Sequence, residues 1–483
     1  MIVEYILYAL LACIGLLFVF MIIRTACVRP TKTEYEKTPI TTDSNEVAKT
    51  LSEAIKIPTV TKYKNGDDQT SFLRFHEFLK ISFPEIFKKA DVTVINNYSL
   101  IIRIDGSNKT LMPGCFLAHQ DVVPATNLGW DLDPFGGEIK DGFVHGRGSL
   151  DMKNQLICSL YGLELLLRDG KEPVRTIYYC FGHDEENTGV QGALNIVEYL
   201  KSQNIRFEFV LDEGGIILDG KMLQIDGKVA LIGTCEKGYA DFLLTVQKEG
   251  GHASSPKKKS SVDILADAIH DLRRSPRKLK WTKPTKELFR ELSPFMKPLF
   301  KFMFVNRDIL GGLLKHVLCL VSPYINSILR TTFAFTQLQG ADAPNVIPFQ
   351  SSAVVNTRIN IGETVEEVQQ YIQDVVGKDV KVSVLGTAFN PTPISKTKES
   401  EIYNTLTSTI SEKFGFVVAP YPFIAATDAK HYYPVSDNVY RFTPFELSPE
   451  TQKGIHGLNE CCSIESLGLA TDFFKEFIIR SCY

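Results

Sequence analysis

Three short, largely apolar runs in this chain each stop at residues that a core cannot hold. Cys115 to Ala118 delivers His119 and, two residues on, Asp121. Ile177 to Phe181 leads through Gly182 and His183 into Asp184-Glu185-Glu186, and Phe207 to Leu211 leads into Asp212-Glu213-Gly214-Gly215. Runs of this length and composition read as buried strands. The segments "NQLICSLYGLELLLRDG" and "GALNIVEYLKSQ" between them carry helical spacing. Strands alternating with helices specify an α/β fold, a mostly parallel sheet with helices on both faces, and such sheets bind ligands beyond the carboxyl ends of their strands. Three adjacent carboxylates repel one another. Either water screens them or something positive sits among them.

The chain of 483 residues is too long for one compact core by the usual span of roughly 100–200 residues per domain. Its texture changes near Glu236. There "YADFLLTVQKEGGHASSP" reads as an antiparallel-type strand and loop, and "SVDILADAIHDLRR" as a helix. Residues 280–330 form an apolar-rich insertion, after which "FAFTQLQGADAPNVIPFQSSAVVNTRINI" returns to strands. The expectation is a catalytic domain at 46–237 and 363–483, interrupted by a smaller α+β lid at 238–362. A net charge of −3 without a dense basic stripe argues against a general nucleic-acid binder. The cysteines show no CxxC spacing, so neither a zinc ribbon nor a dense disulfide scaffold is indicated.

Tyr5 to Ile23 is 19 residues without a charge, close to the roughly 20 that a transmembrane helix needs. A signal peptide usually has a shorter apolar stretch and a basic segment ahead of it; here Glu4 precedes the run and Arg24, Arg29 and Lys32 follow it. The reading is an uncleaved anchor at 1–24 and a polar stalk at 25–45, with secretion after signal cleavage as the alternative. Basic residues after the span favour a cytoplasmic C-terminal side. The glycosylation acceptors Asn97-Tyr98-Ser99 and Asn108-Lys109-Thr110 favour the opposite, and the expectation is a lumenal or extracellular catalytic domain.

Two more segments bear on chemistry. "HGRGSLDMK" presents Asp151 just before a helix, and "KGIHGLNE" offers His456 between glycines. On an extended segment Asp121 points the same way as His119, placed to orient its imidazole. Two dications roughly 3.5–4 Å apart would neutralise such a cluster and activate one water. Successive side chains diverge, so of Glu185 and Glu186 one can bind metal while the other reaches that water as a general base.

"AHQDVVP", "HGRGSLDMK", "HDEENTGVQGA", "LDEGG", "GGHASSP", "APNVIP" and "GIHG" occur in the order seen in the dizinc exopeptidases that include aminoacylase, glutamate carboxypeptidase and carboxypeptidase S. The chain resembles that family from about residue 46 to its end, and most of all the carboxypeptidase S subgroup, which also contains a secreted enzyme that makes and cleaves N-fatty-acyl amino acids. The resemblance implies two zinc ions. His119 and Asp212 would bind one, Glu186 and His456 the other, and Asp151 would bridge them. Asp121 would orient His119, and Glu185 would be the base. His252 of the lid would steady the oxyanion, and Asn345 and Arg358 would hold the substrate, a guanidinium being suited to a terminal carboxylate. The implied activity is hydrolysis of an amide bond beside a free carboxylate in small peptides or N-acyl amino acids. An N-fatty-acyl amino acid synthase/hydrolase is one alternative, and an inactive binding protein on a peptidase fold another. Relatives often dimerise through the lid, though the 280–330 insertion would leave a monomer if it blocks that contact.

The chain departs from the subgroup at Met152, where an acid is common, at Ile361, and at Ala426. Thr427 and Asp428 line a pocket or form a structural turn. His145 and His183, near the site, read as structural residues or as supports of its ligands. Ser254-Ser255 lacks the G-x-S-x-G elbow of a serine nucleophile. The phenylalanines between Pro294 and Phe304 would form an acyl channel, a lid core or a membrane-facing patch.

Overall fold

The apolar runs become the middle of a nine-stranded sheet in the computed structural model, which describes residues 1–30, 37–61, 69–446 and 448–483. In chain order its first strands are β1 (Asp91–Ile95), β2 (Ser99–Ile104), β3 (Gly114–His119), β4 (Ile177–Gly182), β5 (Phe209–Asp212), β6 (Ile216–Asp219) and β7 (Lys228–Glu236). A second, four-stranded sheet follows, made of β8 (Gly238–Gln247), β9 (Thr332–Gln339), β10 (Gln350–Ile359) and β11 (Lys381–Phe389). The chain then returns to the first sheet with β12 (Val417–Phe423) and β13 (Val439–Arg441). The large sheet runs β1-β2-β4-β3-β5-β13-β7-β12, with β6 paired to β7. Strand β3 is parallel to both β4 and β5, and β13 to β5, while β1 and β2 add an antiparallel margin. Every residue of β3, β4 and β5 is buried, as strands covered on both faces must be.

The helices are α1 (Ile2–Cys27), α2 (Ser44–Ile55), α3 (Lys153–Arg168), α4 (Ala193–Ser202), α5 (Ser261–Arg274), α6 (Lys283–Leu292), α7 (Pro298–Val305), α8 (Arg307–Val321), α9 (Pro323–Leu329), α10 (Val365–Val376), α11 (Glu401–Phe414) and α12 (Ile464–Cys482). Helices α3 and α12 cover one face of the large sheet, with Leu156, Phe473 and Phe477 packed towards Phe116, Tyr179 and Phe209. Helix α4 covers the other face through Ile196, Val197 and Leu200. The start of α2 is fixed by Asp43, whose carboxylate accepts from the amides of Asn45 and Glu46, rather than by the serine at its first position. Capping boxes at Ser260–Asp263 and Thr364–Glu367 start α5 and α10, which together cover one face of the lid sheet.

Three boundaries differ from the sequence reading. The lid does not end at 362, because β11 pairs with β8 and carries the domain through Phe389. The insertion packs away from the lid sheet: α6 lies against β12, and Leu288, Phe289 and Leu292 share a core with Val229, Leu231 and Ala419. The described part of the expected stalk from residue 37 onward is bound to the catalytic domain. Thr38 donates to the Glu412 carbonyl, and the Thr41 amide and Thr42 hydroxyl donate to Asp472. Residues 31–36 lie outside the described residues.

Where β7 passes into the lid, Glu236 and Arg441 form a fully buried ion pair. The same Glu236 oxygen accepts from the Thr427 hydroxyl at 2.7 Å, and the Glu236 amide is bound by the Thr392 hydroxyl at 2.8 Å. Removing one partner strands the other charge without water. Glu236→Ala is therefore expected to lower the unfolding free energy by about 3–5 kcal/mol in urea titration; a change below about 1 kcal/mol would show that the pair carries no such constraint.

Candidate active site

The three acids after β4 divide into different tasks. Asp184 accepts from the amides of Gln191 and Gly192, both at 2.7 Å, and closes the loop behind the site. Glu185 and Glu186 sit on one 3₁₀ turn, Glu185–Asn187. Their backbone amides each donate to the Asp121 carboxylate at 3.2 Å, so Asp121 fixes that turn as well as the imidazole of His119. His119 Nδ1 lies 2.9 Å from the Asp121 carbonyl and 3.4 Å from its carboxylate. Its Nε2 is thereby aimed at Asp151, 3.0 Å away.

Asp151 is the centre of the cluster. One carboxylate oxygen meets His119 and the other meets His456 Nε2, also at 3.0 Å; His456 in turn lies 3.0 Å from Glu186. His456 adopts φ 56°, a left-handed conformation rare outside glycine and asparagine, and is held there by the turn around it. The loop presenting Asp151 is tied by Glu460. One Glu460 oxygen accepts from the amides of Gly148, Leu150 and Asp151 at 2.7–3.1 Å, and the other pairs with Arg147 at 2.5 Å. Gly146 and Gly148, at φ 139° and 88°, allow the bend that aims these amides inward. Met152 is buried in the apolar core beneath, where an acid would need a partner.

At the end of β5 the structure differs from the sequence reading. Asp212, the expected ligand, accepts from the amides of Ala429 and Glu213, both at 2.8 Å, and does not face His119. Glu213 takes that place, 3.4 Å from His119 Nε2. Successive side chains diverge where the chain leaves a strand, so one step in sequence exchanges the two acids. The potential ligand atoms of His119, Glu185 and Glu213 lie within 4.8 Å of one another, as do those of His119, Asp151 and Glu186.

The lid residues stand apart. His252 is exposed on a two-residue strand paired with Val346, its Nδ1 2.7 Å from the Ser254 hydroxyl. Among the described residues, no hydrogen bond or ion pair joins it to the acid cluster. Asn345 is exposed beside it, its carbonyl accepting from the Ala253 amide. Arg358, on β10, stacks 5.0 Å over the Tyr239 ring and forms no ion pair among the described residues. His183 binds the Ser99 hydroxyl in an aromatic setting, and His145 sits on a peripheral strand; both are structural. Asp428 is buried without a hydrogen-bond partner among the described residues, behind Glu185.

The electrostatics fit a cationic guest. Burial raises the Glu185 carboxyl well above the usual range, with His119 opposing and Glu213 and Asp428 adding to the rise. Burial likewise raises Glu213 to about 7, its neighbour Asp151 adding to it. Hydrogen bonds with Asp151 and Glu186 raise His456 to about 10. Neither Asp151, Glu185 nor Glu213 has a lysine or arginine ion-pair partner among the described residues. Imidazole nitrogens and several carboxylates converging on one pocket are the donor set of a divalent transition metal.

Residues 115–480 match the model of peptidase family M20/M25/M40. The chain belongs to this family. It is a metallohydrolase of the M20 type, and its family implies a divalent metal at the cluster just described. Among curated relatives it is 37% identical to the N-fatty-acyl-amino acid synthase/hydrolase PM20D1 of Xenopus tropicalis, covering 91% of this chain and 86% of that protein. It is 28% identical to carboxypeptidase S of Saccharomyces cerevisiae, over 90% and 84% of the two chains. The M20 metallo-carboxypeptidase Sso-CP2 of Sulfolobus solfataricus superposes with a TM-score of 0.66 at 17% identity, over 90% of this chain and 98% of that one, which establishes the shared fold.

The structure brings Asp121, Asp151 and His119, singled out in the sequence, together, and it adds Glu213 and Glu460, which the sequence reading did not single out. The signal for Glu460 was the arginine of "HGRG" paired with the acid four residues after His456. Groups that orient metal ligands typically change affinity 10–100-fold when removed. Glu460→Ala is expected to weaken divalent-metal binding by about that factor in equilibrium dialysis, and unchanged affinity would refute its role in holding Asp151.

Proposed function

We propose that the chain hydrolyses the amide bond of N-acyl amino acids or small peptides beside a free carboxylate, with two zinc ions per chain. The observation that carries this reading is Asp151 shared between His119 and His456, with Glu185 beside them. His119, Glu213 and Asp151 would hold one ion, and Glu186, His456 and Asp151 the other. Bound there, the metals supply Lewis acidity and lower the pKa of water.

The residues of the chain do the rest. Glu185 takes a proton from the attacking water and returns it to the nitrogen as the C–N bond breaks, leaving a carboxylate and a free amine. Asp121 keeps the His119 imidazole in one tautomer and orientation. The Arg358 guanidinium receives the substrate's terminal carboxylate through paired N–H groups, with Asn345 beside it. His252 donates to the oxyanion of the tetrahedral intermediate. Because His252 lies exposed and outside the cluster of its own chain, we assign it to the site of a second copy in a homodimer formed through the lid.

An N-fatty-acyl substrate is favoured by a specific feature. An apolar cavity of about 330 Å³, lined by Ile216, Leu218, Leu288, Phe289, Tyr324 and Ile328, opens between the insertion and β6, close in sequence to Glu213. Its chemistry suits a hydrocarbon chain. The same residues would run the reaction in reverse as a synthase. Helix α1 is long and apolar enough to span a bilayer, and a signal sequence has the same properties. We take it as a retained single-pass anchor with the catalytic domain lumenal or extracellular, which leaves the exposed acceptors Asn97 and Asn108 available for glycosylation.

Glu185→Gln is expected to keep its zinc and lose about 10²–10⁴-fold in turnover of N-oleoyl amino acids. Chelation should abolish the wild-type activity and added zinc restore it. Retained turnover in the variant would sink the mechanism, and a dipeptide outcompeting the oleoyl substrate in one assay would decide against the acyl reading. Mixing His252→Ala with Glu185→Gln chains should recover activity that neither has alone; if the mixture stays inactive, His252 acts in its own subunit.

A further inference from the structure

Beyond the catalytic cluster, the structure gathers a second charged cavity where α1 leaves its apolar stretch. The insertion is docked against the end of that helix. Asn306 Nδ2 donates to the Met21 carbonyl at 3.2 Å and to the Thr25 hydroxyl at 3.0 Å, and Phe302 meets Phe18 with ring centroids 5.7 Å apart. Arg24 grips both oxygens of Asp308 at 2.7 Å. At about 1.5 Å per residue, Phe18 lies roughly 9 Å from Arg24 along the helix, so α7 reaches the level of the apolar span.

Between α1, α6 and α8 lies a cavity of about 510 Å³ lined by Arg24, Lys286, Arg307 and Lys315, together with Asp308 and Trp281. Four cations face one carboxylate, and Arg24 already satisfies that carboxylate. Lys315 reaches only the Leu279 carbonyl and Arg307 only the Phe304 carbonyl; neither they nor Lys286 form an ion pair among the described residues. A protein does not hold three unmatched cations around one cavity without an energetic cost from their repulsion.

The neighbouring surface indicates the source of the missing anion. The outer face of α8 carries Ile309, Leu313, Val317 and Leu320, of which Leu313 and Leu320 are 74% and 87% exposed. Their spacing makes a single apolar stripe on a helix whose other face, through Leu314 and Leu318, is packed into the insertion core. The stripe begins at Ile309, next to Asp308, which Arg24 of α1 holds. An apolar helix face beside a basic cavity at the end of a membrane span matches the two halves of a phospholipid.

We propose that this cavity binds the phosphate of an anionic membrane phospholipid, with its acyl chains along α8. The proposal rests on α1 being retained as an anchor. It is tested by native mass spectrometry of the full-length protein in a non-ionic detergent, with phosphatidylglycerol and phosphatidylcholine of identical acyl chains as probes. The expected spectrum shows the chain with α1 intact and a phosphatidylglycerol adduct that phosphatidylcholine does not match. The combined Lys286→Gln, Arg307→Gln and Lys315→Gln variant should lower phosphatidylglycerol affinity on the order of 100-fold, at about fivefold per basic residue. Exposed Lys286→Gln alone, which disturbs no packing, should give the fivefold step. Both variants should keep wild-type turnover. Equal binding of the two lipids, or an undiminished adduct in both variants, would overturn the site while leaving the anchor in place. Displacement of the adduct by inorganic phosphate would assign the cavity to a free anion and overturn the lipid reading. A mature mass lacking residues 1–27 would remove the anchor and the Arg24 wall of the cavity together.

Discussion

Buried carboxylates that accept backbone amides hold this site together, and each does so next to an acid that faces the pocket. Asp121 binds the amides of Glu185 and Glu186, Asp212 those of Glu213 and Ala429, and Glu460 those of Gly148, Leu150 and Asp151. Asp184 closes the loop after the 3₁₀ turn in the same way. In Asp184, Asp212 and Glu460 burial raises the carboxyl and the amide bonds oppose that rise, while each carboxylate fixes the loop it binds. This arrangement helps several acids occupy one small volume, because half of them spend their oxygens on backbone amides that offset part of the cost of burial. The other half remain available to a cation. Such a division also explains why the pocket acids keep their orientation although they repel one another.

The strands supply the platform for this arrangement. Parallel β3, β4 and β5 end side by side, so His119, the Glu185–Glu186 turn and Glu213 converge without any long-range search by the side chains. Asp151 and His456 come from loops that Glu460 and Arg147 knit together over more than 300 residues of chain. The Glu236–Arg441 pair then secures the point where the sheet gives way to the lid. The lid hangs from that point as a separate sheet with its own core. His252, Asn345 and Arg358, which it carries, consequently stand apart from the acid cluster of their own chain among the described residues.

Of the roles the sequence left open for the phenylalanines of the insertion, the structure gives different ones to different rings. Its phenylalanines do not line a single channel. Phe304 stacks on Phe289 at 4.2 Å inside the insertion core, while Phe302 turns to α1. By covering the edge strand β12 it also protects a strand that would otherwise expose unpaired backbone groups. It therefore links three things: the end of the large sheet, an apolar cavity against β6, and the terminal turns of the apolar helix.

Local sequence determined the elements and most of the donor set. Uninterrupted apolar runs read as covered strands and the acids at their ends as lying at the carboxyl edge of the sheet, so His119, Asp121, Asp151, Glu185, Glu186 and His456 stood out together as candidates, each weak alone, and their separate roles came from the family resemblance. Sequence could not choose between Asp212 and Glu213, because the choice depends on which carboxylate meets the Ala429 amide, a contact across more than 200 residues. The pairing of β11 with β8, the docking of Thr41 and Thr42 on Asp472, and the clamp of Glu460 on the Asp151 loop are decisions of the same kind. Periodicity and spacing record what a segment prefers by itself; which of two adjacent side chains turns inward is set by partners that only the folded chain brings within a hydrogen bond.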